Sequence, residues 1–136
     1  MSSKGAPPSG GFALTPAAQS RPLTKLSAEG LLAFYLNTAI PDVPFEQETR
    51  FHSTRRWRCD FMNQELKIAI EVEGAVWAQG RHTRGSGFIK DIEKYNELAL
   101  AGYLLIRVTP TMVEDGSALV WIERAIETRQ NLAQSD

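Results

Sequence analysis

The sequence predicts an α/β protein: a mixed sheet flanked by helices, in the order α-β-β-β-α-β, closed by a C-terminal helix. Three observations carry this. Residues 66–73 alternate apolar and polar side chains with the period of two that a half-buried strand requires. Residues 86–101 place Phe88, Ile92, Tyr95 and Ala99 at helical spacing and stop at Gly102. Residues 103–108 form a nearly continuous apolar run, the pattern of a strand covered on both faces. Two strands joined through a helix lie parallel when they share a sheet.

The elements follow in order. Residues 1–25 are rich in Ser, Gly, Pro and Ala without sustained periodicity, and are expected to be a disordered tail before a single domain over 26–136. A first helix is expected near Ser27 as N-cap, with Leu31, Leu32, Phe34, Tyr35 and Leu36 as its apolar side; Pro41 and Pro44 end it. Strands are expected over Phe45–Phe51, Arg55–Phe61 and Leu66–Glu73 as an antiparallel meander. A loop from Gly74 to Gly85 carries Trp77, Arg81, His82 and Arg84. After the second helix and the Tyr103–Val108 strand, which Pro110 terminates, a last helix starts at Ser117 and runs to about residue 130.

A chain of 136 residues is long enough to bury a core without covalent staples. Cys59 is its one cysteine, which excludes an intrachain disulfide and a cysteine metal cluster. No apolar run is long enough to span a bilayer, and no membrane partner is expected. The first residues lack the apolar stretch of a signal peptide, so a cytoplasmic protein is expected. A net charge of -1 argues against a simple electrostatic binder of nucleic acid. The distribution is more informative. Between Arg50 and Lys94 lie nine basic residues against six acids. A divalent cation on three of those acids would leave the window positive and able to bind a phosphate polymer.

The acids have a defined geometry. In the third strand Leu66, Ile68, Ile70 and Val72 point one way, and Lys67, Ala69, Glu71 and Glu73 the other. In the second, Trp57, Cys59 and Phe61 form the apolar side and Arg56, Arg58 and Asp60 the polar one. Matching apolar sides across a hairpin puts Asp60 on the face of Glu71 and Glu73. A turn centred near Glu65 sets Asp60 opposite Ala69 or Glu71. An earlier turn pairs it with Lys67, about 13 Å along the strand from Glu71. Carboxylates brought together repel, and a hard divalent cation such as Mg²⁺ or Mn²⁺ relieves the repulsion. The Val72 carbonyl adds a further oxygen ligand. Glutamates at i and i+2 also occur on ordinary solvated strands, and the Arg- and His-bearing loop that follows these two favours the functional reading.

Asp60, ten intervening residues, then Glu71-Val72-Glu73, set in the α-β-β-β-α-β order, resembles the PD-(D/E)XK nuclease superfamily. The segments Arg55-Arg56-Trp57-Arg58-Cys59-Asp60-Phe61 and Ile68-Ala69-Ile70-Glu71-Val72-Glu73-Gly74, then His82 and the stretch 101–109, look like its very-short-patch-repair-like branch, which includes small phage and prophage endonucleases. The resemblance covers roughly Glu46 to Pro110. It implies a restriction-endonuclease-like core and a Mg²⁺-dependent DNA endonuclease of bacterial or phage origin, acting in the host cytoplasm. It makes Asp60 and Glu71 metal ligands, and it implies that metal-activated water attacks the phosphodiester in line. Glu73 stands where the superfamily usually has lysine. The positive group is then expected from Lys94 or Lys90, and His82 is a candidate general acid or base. Under this reading Arg56, Arg58, Arg81 and Arg84 contact phosphates, and Glu48 is a further candidate for the metal site. Lys94, in turn, has the alternative of being an ordinary exposed helix lysine. Two other functions fit the same residues: a branched-DNA nuclease of the Holliday-junction type, for which a homodimer making two symmetric cuts is suited, and a DNA-binding protein on a nuclease-like fold without catalysis.

Overall fold

A computed structural model describes residues 23–74 and 86–134. Its elements are α1 (Lys25–Ala39), β1 (Glu46–Arg50), β2 (Arg58–Asn63), β3 (Ile68–Val72), α2 (Ser86–Leu100), β4 (Leu104–Val108), α3 (Pro110–Asp115) and α4 (Ser117–Gln134). The sheet order is β1-β2-β3-β4. The first two pairings are antiparallel and β3–β4 is parallel, joined through α2. This is the expected mixed four-stranded α/β architecture.

Two apolar clusters make the layers. On one face Phe61, Ile68, Ile70, Val72 and Val108 pack with Ala28, Leu32 and Leu36 of α1, Val113 of α3, and Ala118, Ile122, Ala125 and Ile126 of α4. On the other, Cys59, Met62 and Ala69 pack with Leu98 of α2, bordered by Phe51, Tyr95, Tyr103 and Leu105. Residues of β4 alternate between the clusters, as period two demands. Because β4 is an edge strand, Leu104–Ile106 are only half-buried, which corrects the expectation of full cover.

Helix α1 starts earlier than expected. Thr24, not Ser27, is its N-cap: the Thr24 hydroxyl accepts from the Ser27 amide at 3.0 Å. Lys25 therefore belongs to the helix, not to a tail. Its inner stripe is Ala28, Leu32 and Leu36 at strict i+4 spacing, which leaves Phe34 60% exposed. Helix α2 is likewise turned from the expected face. Leu98 is buried and Tyr95 and Lys94 are half-buried, whereas Ile92 and Ala99 are exposed. The cause is the neighbour: Leu98 and Tyr95 must meet Cys59, Met62 and Ala69 of the sheet.

Turn chemistry fixes the register of the hairpin. Asn63 accepts the Leu66 amide at 2.7 Å and donates to the Pro44 carbonyl at 2.8 Å, while Lys67 takes a left-handed conformation. Phe61 then opposes Ile70, which sets Asp60 across from Glu71. Past β4, Pro110 does more than end the strand. With Thr109 as N-cap accepting the Met112 amide, it opens the short helix α3, which the sequence pattern does not reveal. Asp115 caps α4 through the Ser117 amide and hydroxyl, and those bonds hold its carboxyl below the usual range.

Gly102 ends α2 at φ +89, and the nearest atom to an added Cβ is Lys67 Cδ at 3.7 Å. Space is therefore available and the penalty for alanine is purely conformational. Gly102→Ala is expected to lower the unfolding free energy by about 1–2 kcal/mol in urea titrations, with no change in the folded spectrum.

Candidate metal centre

The candidate centre forms where the β2–β3 ladder opens. The Asp60 amide donates to Glu71 Oε2 at 3.0 Å, and the Val72 amide donates to Asp60 Oδ2 at 2.8 Å. Side chains thus take two bonds that a regular ladder would give to strand carbonyls. Alternation breaks here. Cys59 and Met62 pack in the α2-side cluster and Phe61 in the other. The Asp60 carboxylate reaches α1, where Lys25 Nζ donates to it at 2.9 Å. Glu71 reaches α2, where Lys94 Nζ donates to its Oε1 at 2.9 Å. The expected common face for Asp60 and Glu71 is therefore replaced by two carboxylates that meet opposite helical layers, Glu71 accepting from the Asp60 amide and Asp60 from the Val72 amide.

Three carboxylates converge on the α1 side. Oxygens of Glu29, Glu48 and Asp60 lie within 4.8 Å of one another. Glu29 comes from α1, one turn after Lys25, and Lys25 pairs with both Glu29 and Asp60. Glu48 comes from β1 at φ +52. The β1–β2 pairing is interrupted there, between Gln47↔Phe61 and Thr49↔Cys59. A left-handed glutamate within a strand costs on the order of 1–3 kcal/mol. That local cost turns Glu48 toward Asp60. The donor set, all oxygen and all carboxylate, would suit a hard cation such as Mg²⁺.

Glu73 is placed elsewhere. It accepts from Arg107 Nε at 2.8 Å and from the Tyr95 hydroxyl at 3.5 Å, and Arg107 lies 5.0 Å from the Tyr95 ring centroid. The Glu73 hydrogen bond holds the Arg107 guanidinium above its ordinary value. Lys94 is not an exposed helix lysine: its side chain is 12% exposed, matching 11% for Glu71. Arg56 and Arg58 are exposed. Lys90 falls on α2. Arg81, His82 and Arg84, with Trp77, lie outside the described residues.

Burial and charge act on the groups around the two carboxylates. Burial pushes the Glu71 carboxyl above the usual range, against the pull of the Lys94 charge and hydrogen bond. Burial pulls the Lys25 ammonium down, but the Glu29 and Asp60 bonds outweigh it and leave it above its ordinary value. Cys59, beside Glu71, is pushed up to about 12, mainly by burial, and is an inert thiol.

Sequence reasoning does not find Glu29 and Lys25. The available signal is their i, i+4 spacing beside the Ala28–Leu32–Leu36 stripe, which marks them as residues on the border of the buried face. No helix among the described residues is long and apolar enough to cross a membrane.

Comparison with known proteins gives a fold. No family model matches the chain, and no curated protein does. Among solved structures, the "Homing Endonuclease I-Bth0305I Catalytic Domain" is similar with a TM-score of 0.55 and 22% identity, over 75% of this chain and 95% of that one. The class this defines is an α/β protein with the fold of a nuclease catalytic domain.

Removing Lys94 would strand a buried carboxylate. Lys94→Met is expected to destabilise the protein by about 3 kcal/mol. The double variant Lys94→Met/Glu71→Gln should recover part of that stability. A double-mutant cycle by urea unfolding measures both, and an additive cycle would refute the coupling.

Proposed function

We propose that the protein is a divalent-metal-dependent endodeoxyribonuclease of the PD-(D/E)XK type, resembling the very-short-patch-repair-like branch. The observation that carries this is the convergence of Glu29 and Glu48 on Asp60, at the point where the β2–β3 ladder opens, in a chain with a nuclease-domain fold. Mg²⁺ or Mn²⁺ is the proposed cofactor and DNA the proposed substrate.

Asp60, Glu29 and Glu48 hold the cation in this proposal. When bound, a divalent ion supplies charge stabilisation at a phosphodiester and makes water a competent nucleophile near neutral pH. Glu71, with both oxygens already engaged, acts by positioning: it holds the Asp60 backbone through the 3.0 Å amide bond, and Lys94 holds Glu71. The Val72 carbonyl, from the residue whose amide binds Asp60, is a further proposed oxygen ligand. Glu73 fixes Arg107. The positive group that Glu73 cannot supply comes from Lys25, whose side chain is 43% exposed and whose partners are the carboxylates a cation would claim. Once displaced from Asp60, its flexible stem carries the ammonium to substrate phosphate. His82 remains the proposed general acid or base, and Arg56, Arg58, Arg81, Arg84 and Lys90 the proposed phosphate contacts.

Asp60→Asn should abolish Mg²⁺-dependent cleavage of plasmid DNA and the heat of Mn²⁺ binding, while leaving the protein folded. Strong cleavage by this variant would sink the assignment. Glu71→Gln should also reduce cleavage severely. Lys25→Met separates the two roles of that lysine: cleavage should fall at least tenfold while Mn²⁺ affinity rises, because the ammonium no longer competes for Asp60. Calorimetry and gel assays on the same preparation read both. Weaker Mn²⁺ binding by Lys25→Met would contradict the competition.

A further inference from the structure

Most side chains of the described cationic residues are engaged. Lys25, Lys94 and Arg107 pair with Asp60, Glu71 and Glu73. Arg55 pairs with Glu93 and lies 4.0 Å over the Trp57 ring. Lys67 and Arg129 donate to backbone carbonyls at the C-terminal end of α2, and Arg124 lies 4.9 Å from the Trp121 ring. Arg50, Arg56 and Arg58 are exposed, and among the described residues they have no ion pair, ring or hydrogen-bond partner for their guanidinium groups. All three lie on or beside the connection between β1 and β2.

Arg50 and Arg58 are direct cross-strand partners. Like charges directly opposite on a sheet repel and destabilise it. Both positions have a carboxylate two residues further along their strands: Glu48 before Arg50 and Asp60 after Arg58. Thr49 and Cys59 between them are also paired, and Cys59 packs into the α2-side cluster. Arg58 and Asp60 therefore project to the opposite side, toward the carboxylate centre. One strand repeat along β2, about 7 Å, separates Arg58 from Asp60.

The connection is also held rigid. Phe51 stacks on Trp57 with centroids 6.2 Å apart, and His52 packs edge-on to Trp57 at 5.3 Å. His52 Nδ1 accepts the Thr54 and Arg55 amides, and Nε2 lies 3.6 Å from Glu97 of α2. The backbone that carries the two arginines is thus braced at the hairpin end, so the ordering on binding falls on their side chains.

We infer that Arg50 and Arg58 form a phosphate-binding subsite for the DNA backbone, next along the strand from the phosphate at the carboxylate centre. The inference rests on the nuclease reading for the position of that centre, and on the unpartnered, like-charged pair for the subsite itself. Two guanidinium forks set side by side supply the charge-assisted bonds a phosphate diester accepts. An anion between them removes the cross-strand repulsion. Arg56, exposed on the same connection, adds to the positive field without belonging to the pair.

The test is fluorescence anisotropy of a short labelled DNA duplex, without divalent metal, across a salt series. Arg50→Gln/Arg58→Gln should weaken binding about tenfold at moderate salt, one decade for removing the charge-assisted bonds of the pair. It should lower the slope of log K against log salt by roughly 0.9 for each phosphate that the pair neutralises in the wild type. Arg50→Lys/Arg58→Lys should keep the slope. Free of DNA, the glutamine variant should melt no lower than the wild type, since repulsion has been relieved. Wild-type affinity and slope in the glutamine variant would overturn the subsite and leave the nuclease reading standing. Weakened binding in that variant, with no Mg²⁺-dependent cleavage by the wild type, would support the subsite and overturn the nuclease reading. A wild type that binds no DNA would overturn both.

Discussion

The structure turns on a pair of crossed hydrogen bonds: the Asp60 amide to the Glu71 carboxylate, and the Val72 amide to the Asp60 carboxylate. Each side chain satisfies the other strand's backbone where regular pairing stops. A buried amide left unpaired costs about 1–3 kcal/mol, so an opened ladder in the middle of a core needs such substitutes. The substitution also frees the two carboxylates from a common face. Asp60 meets α1 and Glu71 meets α2, so one irregular step in β2 addresses both helical layers.

The two lysines that answer these acids are not equivalent. Lys94 and Glu71 are both nearly closed off from solvent. Breaking a pair of that kind costs several kcal/mol, because one charge remains in a poor dielectric. Lys25 is nearly half exposed, although its partner Asp60 is as closed off as Glu71. An ammonium already in contact with water gives up its carboxylate more readily than the buried Lys94 does, and a divalent cation on Asp60 would replace the charge that leaves. Under the proposed function that difference assigns metal loading to the Asp60 side and structural support to the Glu71 side. The positive φ of Glu48, beside Asp60, belongs to the same proposal.

Much of this is legible in the chain. Period two in residues 66–73 locates β3 and its faces, and a turn near Glu65 leaves Asp60 opposite Ala69 or Glu71. The structure selects Asp60 across from Glu71 because the Asn63 side chain closes the turn. Glu48 is visible as a candidate from its strand. What alternation cannot show is its own interruption at Asp60, since a pattern of polar and apolar residues carries no mark of a side chain replacing a carbonyl. Glu29 and Lys25 are invisible for another reason. Their contact with Asp60 spans more than thirty residues of chain and depends on how α1 docks. The turned face of α2 has the same origin: Lys94 and Leu98 face inward because the sheet offers them a buried acid and an apolar floor.

Glu73 stands where the superfamily that the sequence resembles usually has lysine, and a positive group lies beside it nonetheless. The parallel β3–β4 register sets Arg107 beside Glu71, and the Arg107 side chain reaches Glu73 over the Tyr95 ring. A positive group therefore still stands on that face of the sheet, carried by the neighbouring strand instead of by β3 itself. It is tied to Glu73, and its pairing leaves little net charge for a substrate. In the proposed nuclease the mobile positive charge comes from the other side of Asp60, where Lys25 lies. On that proposal the neutralised Glu73–Arg107 pair at the end of β3 leaves the reactive cation to the first helix. In such an arrangement the chemistry of the site depends on the docking of α1, and so on Ala28, Leu32 and Leu36 as much as on the acids themselves.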